Sequence, residues 1–268
     1  MNLRSLAYRT DLFFPEFEGS VVDRGEYLVI TTPDNPGYHW GNFLIFARPP
    51  QPGDLERWTD TFSREIGDPQ RVGHAVFGVD GTDGEAGAVR QFIDAGYEFE
   101  RNVVLSAKAA HPPPRPNRDV TVRPLVSDAD WTLSLEQRRK PDPDGPDDEG
   151  YARFMERLMA RYRRMSEAGR GHWYGAFLCD VLVADLGLFH RDGVGRYQSV
   201  VTLPEFRGLG IAGTLVYGAA VHAAETFDLK DIVIVADDGS QASRIYASVG
   251  FEPVELSVGW AKSWEGPP

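Results

Sequence analysis

Cysteine is almost absent from this chain of 268 residues, Cys179 being the single one. That excludes an internal disulfide framework and fits a reducing, cytoplasmic compartment. No metal is expected. Long hydrophobic runs are also missing, since none approaches the ~20 residues needed to span a bilayer. Residues 1–9 carry no apolar segment with a small-residue cleavage site, so neither a membrane span nor a secretory leader is expected. Positive charge is scarce: 28 Lys and Arg stand against 40 Asp and Glu, a net charge of −12. That balance argues against nucleic-acid binding as the main task and is compatible with a cationic substrate. Apolar side chains are not lacking. At 42% hydrophobic residues the chain can bury a sizeable core, and its length suggests about two domains of roughly 100–200 residues.

The clearest break is 111–117, where Pro112, Pro113, Pro114 and Pro116 surround Arg115. Such a run makes neither a helix interior nor a central strand, and it reads as an extended spacer. The expected division is therefore 1–110, a linker at 111–117, and 118–268. Beyond the linker, 120–123 reads as a strand. Ser127 to Asp130 cap a helix reaching about Arg139. Tyr151, Phe154, Met155, Leu158, Met159, Tyr162 and Met165 repeat at helical spacing, with the arginines between them as the solvated face and Gly169 as the stop. Strands follow at 172–179 and 181–190, with Cys179 read as a small apolar residue in the first. Asp192-Gly193 marks a hairpin turn. A strand at 196–203, a helix at 215–227, a β-branched strand at 232–235, a helix at 240–249 and a last strand pair reaching Trp264 complete the second half. The expected class is α/β, with a mixed β-sheet flanked by helices.

The first half echoes this ending. A strand at 42–47, a helix at 54–66, a strand at 72–79 and a helix at 85–95 lead to Ala95-Gly96-Tyr97-Glu98, which aligns with Val249-Gly250-Phe251-Glu252. An internal duplication into two similar domains follows.

Between the strand at 196–203 and the next helix lies Arg207-Gly208-Leu209-Gly210-Ile211-Ala212-Gly213-Thr214. Amides at a helix start are unpaired and sit at the positive end of the helix dipole. Glycines let a phosphate approach them closely. The segment lacks the terminal Lys-Ser/Thr of a P-loop. It does satisfy a bare Gly-x-Gly-x-x-Gly pattern, with Asp228 or Asp231 as the acid, but that pattern is weak alone. The first half has Pro49-Pro50-Gln51-Pro52-Gly53-Asp54 at the same place. Its prolines remove amide donors, and Asp54, read as a helix cap, would repel phosphate.

Two motifs in order sharpen this. Arg207 to Ala212 fits Arg/Gln-x-x-Gly-x-Gly/Ala, and Tyr246-Ala247-Ser248-Val249-Gly250-Phe251 fits a helix ending Tyr-x-x-x-Gly-Phe. In both, the chain resembles the GNAT superfamily of acyl-CoA-dependent N-acyltransferases, over about 118–265. Residues 1–110 resemble it as a degenerate copy, as in tandem-domain members.

The resemblance implies two GNAT-like domains and acetyl-CoA as donor. Backbone amides of Leu209, Gly210, Ile211, Ala212, Gly213 and Thr214 would hold the pyrophosphate, with Arg207 and Gly208 beside them. The backbone of Val200, Val201 and Thr202 would pair with the pantetheine arm, and an N–H at Val201 or Thr202 would stabilise the oxyanion. Ser240 stands where many relatives place an Asn that contacts CoA. Tyr246 would donate a proton to the departing thiolate, as against serving as a core aromatic with Ile245 and Val249. The acceptor, a small-molecule or peptide amine, would attack directly in a ternary complex.

The strand at 196–202 lacks the carboxylate that many relatives use as general base. Asp185 and His190 are the candidates, His190 for its ordinary pKa; each could equally be an outward-facing residue. Glu205 reads as a turn residue, and relay through water is a further route. Substrate recognition would fall to 136–150, with Asp142, Asp144, Asp147, Asp148 and Glu149 as either an acidic lid or a solvated loop. Trp131, Trp173 and Tyr174 could line a pocket or fill the core. The rival is a non-catalytic acyl-CoA-binding or scaffold protein. No membrane or nucleic-acid partner is expected; the oligomeric state stays open, with a monomer among the options.

Overall fold

The computed structural model describes residues 1–139 and 149–264. Backbone contacts divide the chain into two compact units, one of 1–104 together with the strand from Glu255 onward, the other of 105–254.

The first unit begins with α1 (Leu6–Asp11), followed by the strands β1 (Ser20–Asp23), β2 (Tyr27–Thr31) and β3 (Phe43–Phe46). Next come α2 (Asp54–Glu65), the short α3 (Pro69–Val72), β4 (His74–Val79), α4 (Val89–Asp94) and β5 (Glu98–Ala107). The second unit contains β6 (Val120–Pro124), α5 (Asp128–Arg139), α6 (Glu149–Glu167), β7 (Gly171–Leu178), β8 (Val181–Arg191) and β9 (Val194–Thr202). It continues through α7 (Ile211–Thr226), β10 (Asp231–Asp237) and α8 (Gln241–Ser248), and the chain then runs into β11 (Glu252–Ser263).

In the first unit the strands run in the order β1-β2-β3-β4-β11-β5. The antiparallel hairpin of β1 and β2 lies in a part of the chain for which the sequence offered no element. β3 and β4 are parallel, Leu44 opposite Phe77, with α2 as the crossover. β11 is a single long strand, where a strand pair was expected. It pairs antiparallel with β4, Trp260 opposite Phe77. The ending assigned to domain 118–268 therefore sits with the first unit from Glu255 onward. The reason is apolar packing: Val258 and Trp260 are buried in the cluster that holds Trp58, Phe77 and Phe92. Trp58 stacks on Phe46 at 3.9 Å between ring centres in the same cluster.

In the second unit the order is β10-β9-β8-β7-β6. β6 to β9 are antiparallel neighbours, whereas β9 and β10 are parallel around the α7 crossover. The same parallel pair with a helical crossover thus occurs in each unit. α5 starts with the expected cap: Asp130 N donates to Ser127 Oγ at 3.1 Å, and Ser127 N donates to Asp130 Oδ2 at 3.1 Å. Gly169 ends α6 at φ +69°. The solvated arginine face of α6 has one exception, since Arg161 is buried. α7 is apolar nearly all round and buries Leu215, Val216, Ala219 and Ala223. Such a helix belongs under a sheet, which brings its N-terminal turn to the end of β9. Trp131, Trp173 and Tyr174 are core residues. Cys179 is not in a strand. It is exposed in the β7–β8 turn at φ +53°, so no apolar packing holds it.

Candidate active site

β9 and β10 are in parallel register only from Val194 to Arg196 on the β9 side. Farther along, β9 carries an irregularity. The pairing with β8 shifts between Asp185 and Gly187, and Ser199 opposite that shift has φ +50°. A bulge of this kind bends its strand and re-aims the residues that follow. Gln198 to Val200 and Ile234 to Asp237 then line a cavity of about 250 Å³ together with Ser240 and Tyr246.

A larger cavity of about 810 Å³ adjoins these elements. Its walls are Val200, Val201 and Thr202 of β9, the turn from Arg207 to Gly213, and Ile245 and Tyr246 of α8. Gly208 and Gly210 both have φ +77°, a conformation that side chains disfavour, and Gly210 is the N-cap of α7. Gly210 has a second constraint: a Cβ there would come closer than 3.0 Å to the carbonyl oxygen of Arg115. Arg207 Nε donates to the Thr202 carbonyl at 3.2 Å, which ties the turn to the strand end.

Of the residues expected in the phosphate cradle, Leu209 to Gly213 line the larger cavity, whereas Thr214 does not. Its amide and hydroxyl both donate to Gly210 O, and its hydroxyl accepts from Asn117 N at 2.9 Å. It braces the turn from behind. Ser240 caps α8 by accepting from Ser243 N at 3.2 Å, and it lines the smaller cavity.

Tyr246 borders both cavities. It is buried, and burial, with help from nearby Asp237, pushes its pKa up to about 12. The phenol therefore stays protonated at neutral pH.

The two candidate bases lie elsewhere. Asp185 is fully buried. Its carboxylate accepts from Ser134 Oγ, from the Arg138 guanidinium and from Trp173 Nε1 at 3.2 Å. A carboxylate committed to this many donors is a structural charge, paired because burial demands it. His190 packs against Phe227 with 4.2 Å between ring centres and lines neither cavity. Burial pushes its imidazole below the ordinary pKa, and Arg170 acts in the same direction. Among the residues lining the two cavities, Asp237 is the single carboxylate. The sequence reading does not include it, although an acid two residues past the β-branched run 232–235 was the available signal. Glu205 lies in a 3₁₀ turn, as expected. Asp142, Asp144, Asp147 and Asp148 lie outside the described residues.

The proline-rich segment 111–117 belongs to the second unit. Pro113, Pro114, Arg115 and Pro116 form a wall of the larger cavity. Asn117 Nδ2 donates to Leu209 O at 3.0 Å, and His111 N donates to Val249 O at 2.7 Å.

In the first unit the place equivalent to the glycine turn is filled from within. Asp54 is the first residue of α2 rather than its cap, which is Gly53. Its carboxylate accepts from Gln51 N at 2.8 Å, from Arg48 at 2.9 Å and from Arg57 at 3.0 Å. The helix start already holds an anion of its own.

Among the described residues no helix is long and apolar enough to cross a membrane. The family model described as acetyltransferase (GNAT) family matches residues 132–251. No curated protein matches the chain. Among solved structures, a conserved protein of unknown function from Staphylococcus epidermidis aligns over 91% of this chain and 93% of its own, at 13% identity and a TM-score of 0.68. A GCN5-related N-acetyltransferase from Kribbella flavida aligns over 97% of this chain and 96% of its own, at 17% identity and a TM-score of 0.64. A tandem GNAT protein from the clavulanic acid biosynthesis pathway aligns over 80% of this chain and 70% of its own, at 11% identity and a TM-score of 0.51. At such identities the likeness is one of fold. The family match at 132–251 falls within the second unit, so the similarity to the acetyltransferase (GNAT) family is carried there.

Proposed function

We propose that the chain transfers an acetyl group from acetyl-CoA to a primary amine, by direct attack within a ternary complex. The observation that carries this reading is Tyr246, which stands where the glycine-turn cavity meets the opening between β9 and β10. A long, bent donor fits that path. Its pyrophosphate lies against Leu209 to Gly213, and its pantetheine arm runs beside Val200 to Thr202. Its thioester reaches the smaller cavity.

The amine attacks the thioester carbonyl as it loses a proton. A backbone N–H at Val201 or Thr202 stabilises the oxyanion. The carbon–sulfur bond then breaks, and the sulfur leaves with the electron pair. Tyr246 donates a hydrogen bond to that sulfur. A phenol with a pKa of about 12 does not lastingly surrender its proton to a thiolate whose own pKa is about 8.5. Water completes the protonation of the thiol. Asp237, beside Tyr246, is the best-placed acceptor for the amine proton, directly or through water. The first unit, with Asp54 in its helix start, is a degenerate copy that binds no donor there.

A second reading, an acyl-CoA-binding protein without turnover, draws on the commitment of Asp185 to Arg138. Thiol release from acetyl-CoA with a broad panel of amines separates the two. Turnover with any amine establishes the transferase. CoA binding without turnover across the panel favours the binding protein. Stabilisation by NAD or ATP in place of CoA would overturn both.

A further inference from the structure

Four features of segment 113–117 go beyond a domain spacer. It lies directly against the glycine turn, with the Arg115 carbonyl oxygen over the α-carbon of Gly210. It is fastened there by Asn117, whose amide N donates to Thr214 Oγ1 at 2.9 Å and whose side chain donates to Leu209 O at 3.0 Å. Pro113 is buried, and a Cβ on Gly213 would meet it at 3.2 Å. Finally, the chain bends at Pro114 and Arg115, and Pro116 restricts the backbone freedom of Arg115.

The Arg115 side chain is exposed and lines the larger cavity. Among the described residues its guanidinium has neither a hydrogen bond nor an ion pair. Most other arginines of this acidic chain are paired, such as Arg123 with Asp130 and Arg163 with Glu167. Arg115 therefore stands free on a rigid strap, in the same cavity as Arg207 and the amides that start α7. A planar fork of donors held in that way suits a phosphate.

We propose that Arg115 is a phosphate-binding residue of the donor site and that the strap forms the polyanion end of the pocket. This rests on the larger cavity being the CoA site. The strap then has two tasks. Its backbone shapes the glycine turn through Gly210, and its guanidinium adds a second cation to that of Arg207. The ligand class is a phosphorylated pantetheine nucleotide, and the groups contacted are its phosphates.

Titration calorimetry on the full chain tests this with CoA, dephospho-CoA and pantetheine. The variants are Arg115→Ala and Arg115→Lys, whose melting temperatures should match the parent because the side chain is exposed. Arg115→Ala should weaken CoA binding about tenfold, the scale of a charge-assisted hydrogen bond. Arg115→Lys should recover most of that, and affinity for pantetheine, which has no phosphate, should not change. A loss confined to CoA assigns the contact to the 3′-phosphate; an equal loss with dephospho-CoA assigns it to the pyrophosphate. Either supports the proposal. Wild-type affinity of Arg115→Ala for CoA overturns it, as does an equal loss for pantetheine. Failure of the parent chain to bind CoA overturns the donor reading itself, which is a separate result.

Discussion

Arg138 Nη2 donates to the carbonyl oxygen of Ser199 at 2.6 Å, while the same guanidinium holds the buried carboxylate of Asp185. One arginine on α5 thus joins the sheet interior to the residue at which β9 bulges. The residues after that bulge, Val200 to Thr202, line the larger cavity. Arg138→Ala should cost about 3–5 kcal/mol in urea unfolding, because it leaves a buried carboxylate unpaired. Arg138→Lys keeps a cation near Asp185 but not the fork that reaches two acceptors. For that variant we expect kcat to fall while CoA affinity stays within about twofold, because the phosphate end is untouched. Unchanged kcat in a folded Arg138→Lys protein would show that the bulge needs no such support.

Gly210 and Gly208 share a backbone conformation but not a surrounding. Nothing lies within 4 Å of a Cβ added to Gly208, whereas one on Gly210 would collide with the Arg115 carbonyl. Gly208→Ala should cost about 1–2 kcal/mol of backbone strain alone. Gly210→Ala should cost more and should also lower CoA affinity, as the strap is pushed off the turn. Gly210→Pro should abolish CoA binding. Melting temperature and CoA titration, measured side by side, check the order.

Replacing Tyr246 with Phe should slow turnover by about 10²-fold or more if the hydroxyl assists the leaving sulfur. CoA affinity should change little. Because burial raises the phenol to about 12, its ionisation cannot produce an alkaline limb near pH 8 or 9. Any such limb should survive in Tyr246→Phe. A limb that disappears with the hydroxyl would contradict the burial seen here.

Asp130 predicts a pH dependence of stability. The hydrogen bond from Arg123 holds its carboxyl well below the ordinary range, and the amides of Val126 and Ser127 add to this. A depressed carboxyl contributes stability above its unfolded pKa of about 3.9 and loses it as pH falls. The urea midpoint of the parent should therefore drop below about pH 4. Asp130→Asn should be less stable at pH 7 and show a flatter acid decline.

Cys179 is exposed. One thiol per chain should react with a disulfide reagent in the folded protein, and denaturant should reveal no more. A thiol that appears only after unfolding would place Cys179 in the strand where the sequence first suggested it.

Features carried by neighbours in the chain were legible beforehand. The glycine turn, the Ser127–Asp130 cap, the Gly169 stop and the β-α-β alternation all depend on residues a few positions apart, and local sterics and hydrogen bonding decide them. The strand-helix-strand pattern also announced the parallel strand pair with a helical crossover in each unit, because periodicity is a local signal.

Tertiary structure decided the rest, because each remaining question turned on partners far apart in sequence. From sequence, Asp185 was either a general base or an outward-facing residue; Arg138 and Ser134 of α5 around it make it neither. The proline-rich segment looked like a spacer because prolines announce an extended chain but not what it lies against; packing on Gly210 made it a wall. β11 follows α8 without a break in the sequence, yet from Glu255 onward it belongs to the first unit, where Val258 and Trp260 find their apolar neighbours. Sequence alone determined that a glycine-rich turn before a helix and a tyrosine-bearing helix exist. Only the fold, through long-range burial and pairing, made Tyr246 the meeting point of two cavities.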